Sequence, residues 1–363
     1  MFKENKLNLK RLANIFSLTA GLLVVAGCSQ LGYYAHCTQG HLALLSGRTP
    51  INKLLSDPET PAELAEQLRN FSRIRDFATI ELKLPDNGSY RSYCDLQRPF
   101  ATWNVVAAKE FDLQPLRWCF PVAGCLPYQG FFERQRAESF AAKLKEQGYD
   151  TYLYGVAGYS TLGWFDDPVL NTFLNRSPAD QAGIVFHELA HQQLFLQNDP
   201  DFSEGFATAV EQLGIEHWLA RNGSLEDSEA YRHQRRLEKE FTQLLGNLRQ
   251  QLTDLYNQPL CSDCKRQKKA RLLVAFLADY DRWKTDRGNN PGYDAWVREQ
   301  LNNAKLASVN TYHHRAASFR ILFARQGNDF KRFYQAAKEI SELPEEKRTE
   351  RLQSLEQRPH PPL

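Results

Sequence analysis

The residues of this 363-residue chain whose types and spacing most directly suggest chemistry are His187-Glu188-Leu189-Ala190-His191. Histidines four positions apart on a helix lie on one face, a turn apart, so both imidazoles can reach one metal ion. Zinc suits such nitrogen ligands, and Glu188, next to the first of them, can take a proton from a water acidified by the metal. A third ligand is needed. After the polar break Gln197-Asn198-Asp199-Pro200-Asp201 a second helix opens with Phe202-Ser203-Glu204-Gly205-Phe206-Ala207. So short a connection folds this helix back towards the histidine face, with Glu204 the carboxylate best placed to complete a His-His-Glu set. Glu211 follows seven residues on, two turns along the same face, where it would hold a histidine ring in one tautomer.

The elements that must position these groups can be read outward from them. Ser177 is the expected N-cap of the first helix, with Pro178 in its first position and Asp180 at the capping-box position. Ile184, Val185, Leu189 and Leu194 supply its packing face, and Pro200 with the neighbouring acids ends this helix and caps the next. Upstream, Leu64, Leu68, Phe71 and Ile74 recur at helical spacing between Pro61 and Phe77. Ile80–Leu84, Ser89–Leu96, Ala101–Ala108 and Thr151–Val156 read as strands, with a helix over Arg134–Gln147 before the last. Downstream, helices are expected over Leu225–Tyr256, Lys265–Trp283 and Tyr293–Leu306, with two more before Leu343. The expected fold class is α+β, a mixed amino half with short strands and a mainly helical carboxyl half carrying the HExxH hairpin. Its divisions are a leader over 1–27, a mixed region over 28–176, a helical region over 177–345 and a tail over 346–363, with Gln357–Leu363 a loose end.

The run Ser203-Glu204-Gly205-Phe206-Ala207 followed by Glu211 resembles the N-E-G-F-A…E segment of gluzincin metallopeptidases. In that group the first glutamate is the third zinc ligand and the later one supports a histidine. The hairpin here is shorter than in the large aminopeptidases, with twelve residues between His191 and Glu204. Cys119-Phe-Pro-Val-Ala-Gly-Cys125, Leu126-Pro-Tyr-Gln-Gly130 and Tyr159-Ser-Thr-Leu-Gly-Trp164 extend the resemblance over most of the mature chain. As a whole the sequence resembles a bacterial family of lipoprotein-type zinc aminopeptidases, which implies a zinc cofactor and a peptide substrate.

The first residues carry Lys3, Lys6, Lys10 and Arg11, then an apolar run from Leu12 to Gly27, then Val25-Ala26-Gly27-Cys28. This pattern reads as a secretory signal with a lipobox, which would make Cys28 the lipidated N-terminus. The run is too short for a membrane span. With Ser29 rather than an aspartate after the cysteine, the expected destination is the periplasmic face of an outer membrane. The chain carries 45 Lys+Arg against 43 Asp+Glu, so no basic field is available for nucleic acid. Cys37, Cys94, Cys119, Cys125, Cys261 and Cys264 remain, an even number suited to disulfides in an oxidising compartment. Fifteen pairings are formally open, Cys119/Cys125 and Cys261/Cys264 being the simplest. Cys261-Ser-Asp-Cys264 as half of a zinc knuckle lacks a second pair.

Two further groups enter the expectation. The segment Tyr159, Ser160, Thr161, Leu162, Gly163 to Trp164 reads as a strand, either in the core or as an edge along which a substrate peptide would lie. Tyr312, followed by His313 and His314, is a candidate donor to the oxyanion of peptide hydrolysis. Asp166, Asp167 and Asp199 are acids that a substrate amine could meet, with nothing in the sequence to choose among them. The functional expectation is zinc-dependent peptide hydrolysis by an aminopeptidase. An envelope endopeptidase and a noncatalytic binding lipoprotein are the alternatives.

Overall fold

The computed structural model describes residues 31–120, 124–161, 163–288, 292–309 and 313–357. They fall into two compact units divided between Gly47 and Arg48. In the first, residues 31–46 form a helix, α1.

In the second unit a short strand β1 (Thr49–Pro50) leads into α2 (Ile51–Ser56) and α3 (Ala62–Ile80). Phe71, Ile74 and Phe77 on α3 are buried, as their helical spacing requires. β2 (Ser92–Cys94) pairs antiparallel with β1 and parallel with β8 (Val169–Leu170). A second sheet has the order β6 (Gln129–Phe131), β3 (Thr102–Lys109), β7 (Tyr149–Val156), with antiparallel pairing throughout. Val105 to Ala108 are all buried, so β3 is covered on both faces. Val106 and Ala108 pack on Ala304, and α4 (Arg134–Glu146) closes the other side through pairs such as Phe131 with Phe140. β4 (Trp118–Phe120) and β5 (Gly124–Leu126) make a hairpin bridged by Cys119–Cys125.

From α5 (Asn171–Leu174) onward the chain is helical: α6 (Pro178–Gln193), α7 (Pro200–Asn222), α8 (Leu225–Tyr256), α9 (Ser262–Thr285), α10 (Asp294–Arg298), α11 (Asn303–Ser308), α12 (His313–Arg325), α13 (Phe330–Ser341) and α14 (Glu345–Gln357). The structure is thus α+β with a helical carboxyl-terminal half. α6 and α7 lie in the main core, where Phe77 meets Phe186 and Trp218, and Phe206 meets Phe319 and Phe333. Leu237, Phe241, Leu245, Phe276, Tyr280 and Trp283 form a separate cluster between α8 and α9. Asn303, at the start of α11, joins this helical half to the sheet by donating to the carbonyls of Lys109 and Glu110.

Several expectations are corrected. Ile80–Leu84 is no strand: α3 runs to Ile80, and Lys83 then takes a positive φ of 59°. Of Ser89–Leu96 only Ser92–Cys94 pairs, because Tyr90 is in the left-handed region at φ 63°. Tyr293–Leu306 breaks into α10 and α11, since Glu299 turns extended and the Asn302 side chain caps the second helix. The 346–363 stretch is helical through Gln357, with Leu352 and Leu355 buried. Cys119–Cys125 and Cys261–Cys264 are the two disulfides among the described residues, and Cys37 and Cys94 are free thiols. Among the described residues no helix is long and apolar enough to cross a membrane.

Candidate metal centre

Local sequence sets the two helices of the site. Ser177 Oγ accepts from the Asp180 amide at 3.1 Å and donates to its carboxylate, with Pro178 in the first turn, so α6 starts where its capping residues place it. α6 ends at Leu194, whose extended backbone leads into a short loop. Asp199 caps α7 by accepting from the Phe202 amide at 3.0 Å, and Pro200 follows as its first residue. Ser203 is fully buried and holds the loop to the new helix, its Oγ accepting from Leu196 N at 2.9 Å.

This hairpin brings His187, His191 and Glu204 together, with one ligand atom from each lying within 4.8 Å of the others. His187 Nε2 is 3.2 Å from His191 Nε2, and the rings stand nearly perpendicular at 83°. The two Glu204 oxygens divide between them, Oε2 lying 3.5 Å from His187 Nε2 and Oε1 3.6 Å from His191 Nε2. Two imidazole nitrogens that point at each other across 3.2 Å repel unless a proton or a cation lies between them. A carboxylate facing both adds to that demand. The donor set therefore fits a metal ion. Glu211 accepts from His187 Nδ1 at 3.0 Å, which leaves Nε2 free to ligate.

The titration behaviour follows the same geometry. Burial alone would lower His187, yet hydrogen bonds to Glu204 and Glu211 and the surrounding carboxylates push it well above its ordinary value. His191 is driven down to about 4 by burial and by the charge on His187. Glu204 is lowered because His187 and His191 outweigh its own burial. Glu188 is raised, chiefly by burial.

Glu188 is hydrogen-bonded to Ser160, and the Ser160 hydroxyl also lies 3.4 Å from Asp167 Oδ2. Asp167 is fully buried and accepts from Thr161 N and Thr161 Oγ1, both at 2.9 Å, while its carbonyl accepts from Tyr90 N at 2.6 Å. Tyr159, Ser160, Thr161 and Gly163 accordingly lie in a loop beside Glu188 and not in a strand, for β7 ends at Val156. Its course is fixed by the turn Thr161 Oγ1 makes with Phe165 N and by Gly163 at φ +84°, where a Cβ would come within 3.2 Å of Gln192. Gln192 is held in turn by Asn87 and Ser89.

Of the three acids offered to a substrate amine, Asp199 is occupied by Arg315 and Arg348 and Asp167 by Ser160 and Thr161. Asp166 is exposed, its carboxylate lying over Gly88. Cys28, Leu162 and Tyr312 lie outside the described residues, and His313 and His314 open α12. Sequence reasoning missed Tyr90, fully buried within electrostatic reach of Glu188, and a non-glycine residue at positive φ leaves no signature in sequence.

A family model described as "Putative aminopeptidase" matches residues 32–352, and the chain belongs to that family. No curated protein and no solved structure matches the chain.

Proposed function

We propose that the protein is a zinc-dependent aminopeptidase, anchored to the bacterial cell envelope through a lipid on Cys28. The observation that carries the reading is the convergence of His187 Nε2, His191 Nε2 and Glu204 beside Glu188, in a chain whose family name suggests peptide hydrolysis. Zinc is the metal to which two imidazoles and a carboxylate are suited, and three protein ligands leave a position open, as in catalytic sites.

When bound, zinc would supply a Lewis acid for the scissile carbonyl and lower the pKa of water. His187, His191 and Glu204 would hold it, and Glu211 keeps the His187 ring in the ligating tautomer. Glu188 takes the proton of the attacking water on its carboxylate and returns it to the leaving amine. Its elevated affinity for a proton, set by burial, suits that exchange. Ser160 orients the Glu188 carboxylate from the loop above it.

The test is mass spectrometry of a peptide pool with free and acetylated N-termini after incubation with the chain from Cys28 onward, beside Glu188→Gln. Single-residue losses from free N-termini only, absent with the variant, are the expected result. Internal cuts that ignore acetylation would make the protein an endopeptidase. Equal spectra for both proteins, with zinc bound, would end the catalytic reading.

A further inference from the structure

Glu204 is the fifth residue of α7, counting Pro200 as the first, and helix ends fray within their first turns. A metal ligand so close to an end needs external support. Asp199 is 4% exposed and its carboxylate is fully engaged. Oδ1 accepts from Phe202 N at 3.0 Å and from Arg315 Nη1 at 2.9 Å, while Oδ2 accepts from Arg348 Nε at 3.1 Å and Nη2 at 3.0 Å. Arg348 is itself fixed, donating from Nη1 to the Leu343 carbonyl at 2.6 Å with its guanidinium 6.0 Å from the Phe202 ring centroid. On the other side of Glu204, Gly205 lies against α12 so closely that a Cβ there would stand 2.6 Å from Arg315 Cβ.

We propose that Asp199, Arg315 and Arg348 form a charge clamp around the buried Asp199 carboxylate that positions Glu204 against the two histidines, making α12 and α14 part of the support of the metal centre. The proposal rests on His187, His191 and Glu204 being metal ligands. One carboxylate caps the helix that carries the third ligand and binds both guanidiniums that anchor it, so α7 cannot slide or turn without breaking charge-assisted bonds to a nearly inaccessible carboxylate. Arg348 grips one oxygen, Oδ2, from two nitrogens in a fixed plane, and a lysine there would keep the charge but lose that two-nitrogen grip. Asp199, Arg315 and Arg348 are positioning residues, since none touches the ligand atoms.

The test uses cobalt(II) as the probe, with a chromophoric competitor for affinity and the visible absorption band for coordination geometry. The full chain is compared with Arg348→Lys, Asp199→Asn and Glu356→Gln. The last weakens the Ser318 contact between the same two helices, a 2.6 Å hydrogen bond that would lose its charged acceptor and does not involve Asp199. Removing the partners that orient metal ligands commonly costs 10–100-fold in affinity. That loss, with a changed band, is expected for Arg348→Lys and Asp199→Asn, while Glu356→Gln keeps wild-type affinity and spectrum. Wild-type affinity and spectrum in Arg348→Lys would overturn the clamp, as would an equal loss in Glu356→Gln, which would mark a general effect on helix packing. If the unsubstituted chain takes up no cobalt, the metal-centre reading itself falls, and the clamp with it.

Discussion

Replacing Asp167 by asparagine should stabilise the protein at neutral and alkaline pH and leave its stability nearly unchanged in acid. Burial pushes the Asp167 carboxyl up to about 6 from its ordinary 3.8, against the opposing hydrogen bonds from Thr161 and Ser160. The folded chain therefore holds this proton more tightly than the unfolded chain does. Its contribution to stability is fully present below about pH 4 and is lost as pH rises through about 6. A difference of roughly two pKa units corresponds to about 3 kcal/mol at 1.36 kcal/mol per unit. Asparagine can keep the bonds. Its oxygen replaces Oδ2 and accepts from Thr161 N, and its amide replaces Oδ1 and donates to Thr161 Oγ1, which lies within reach of the Phe165 carbonyl. Urea unfolding of both proteins in chelator from pH 4.5 to 8 measures the difference, in which groups unaffected by the change cancel. The gap should open with increasing pH and favour the variant by up to about 3 kcal/mol above pH 7. A gap that stays flat, or one that turns against the variant as pH rises, would refute the argument.

Phe206→Ala should cost about 3–5 kcal/mol in denaturant unfolding, because Phe206 is fully buried against Phe319, Phe333 and Tyr334 and shrinking it leaves a cavity. Zinc at about 100 times its dissociation constant should raise the unfolding free energy by about 2.7 kcal/mol by mass action, and His191→Ala should abolish the gain in a thermal melt. Cys94 is buried with its thiol pushed up chiefly by burial, so iodoacetamide should leave it unlabelled in the native protein and label it in denaturant, as peptide mass spectrometry would show.

The helices were the legible part of this fold, and the reason is local. Ser224 and Asp227 make a reciprocal capping box, and Leu237, Phe241, Leu245, Leu248, Leu252 and Leu255 recur on one buried face, so the start of α8 and its packing side are written in adjacent residues. The same holds at Ser177 and Asp199, which start the two helices of the site. Strands in the amino half were less legible. Tyr90 and Gln97 take left-handed backbone that no sequence pattern announces, and they confine β2 to three residues. The loop after β7 misled for a related reason: Tyr159 to Trp164 has the composition of a strand, but Asp167 folds back on Ser160 and Thr161 and takes up their donors.

The convergence of His187, His191 and Glu204 into a group that could hold a metal was legible because an i,i+4 pair and a short hairpin constrain these positions strongly. The charges around them were not: the role of Asp199 depends on partners more than a hundred residues away, and that of Asp167 on a loop whose course no local pattern announces. Asp199 reads in sequence as a loop acid or a helix cap. Only with Arg315 and Arg348 folded onto it does it become a group whose every acceptor site is used. Asp167, an equally plausible surface acid, is buried by the loop that it organises. The contrast between the two is instructive, because both are nearly inaccessible carboxylates close to the same centre. Asp199 has two cations as partners, and neutralising it takes from Arg315 and Arg348 the carboxylate they share. Asp167 has only neutral donors, so its charge is the part of the site the fold would most readily give up. Substitution to asparagine should therefore have opposite consequences: a weaker metal centre at 199 and a more stable protein at 167.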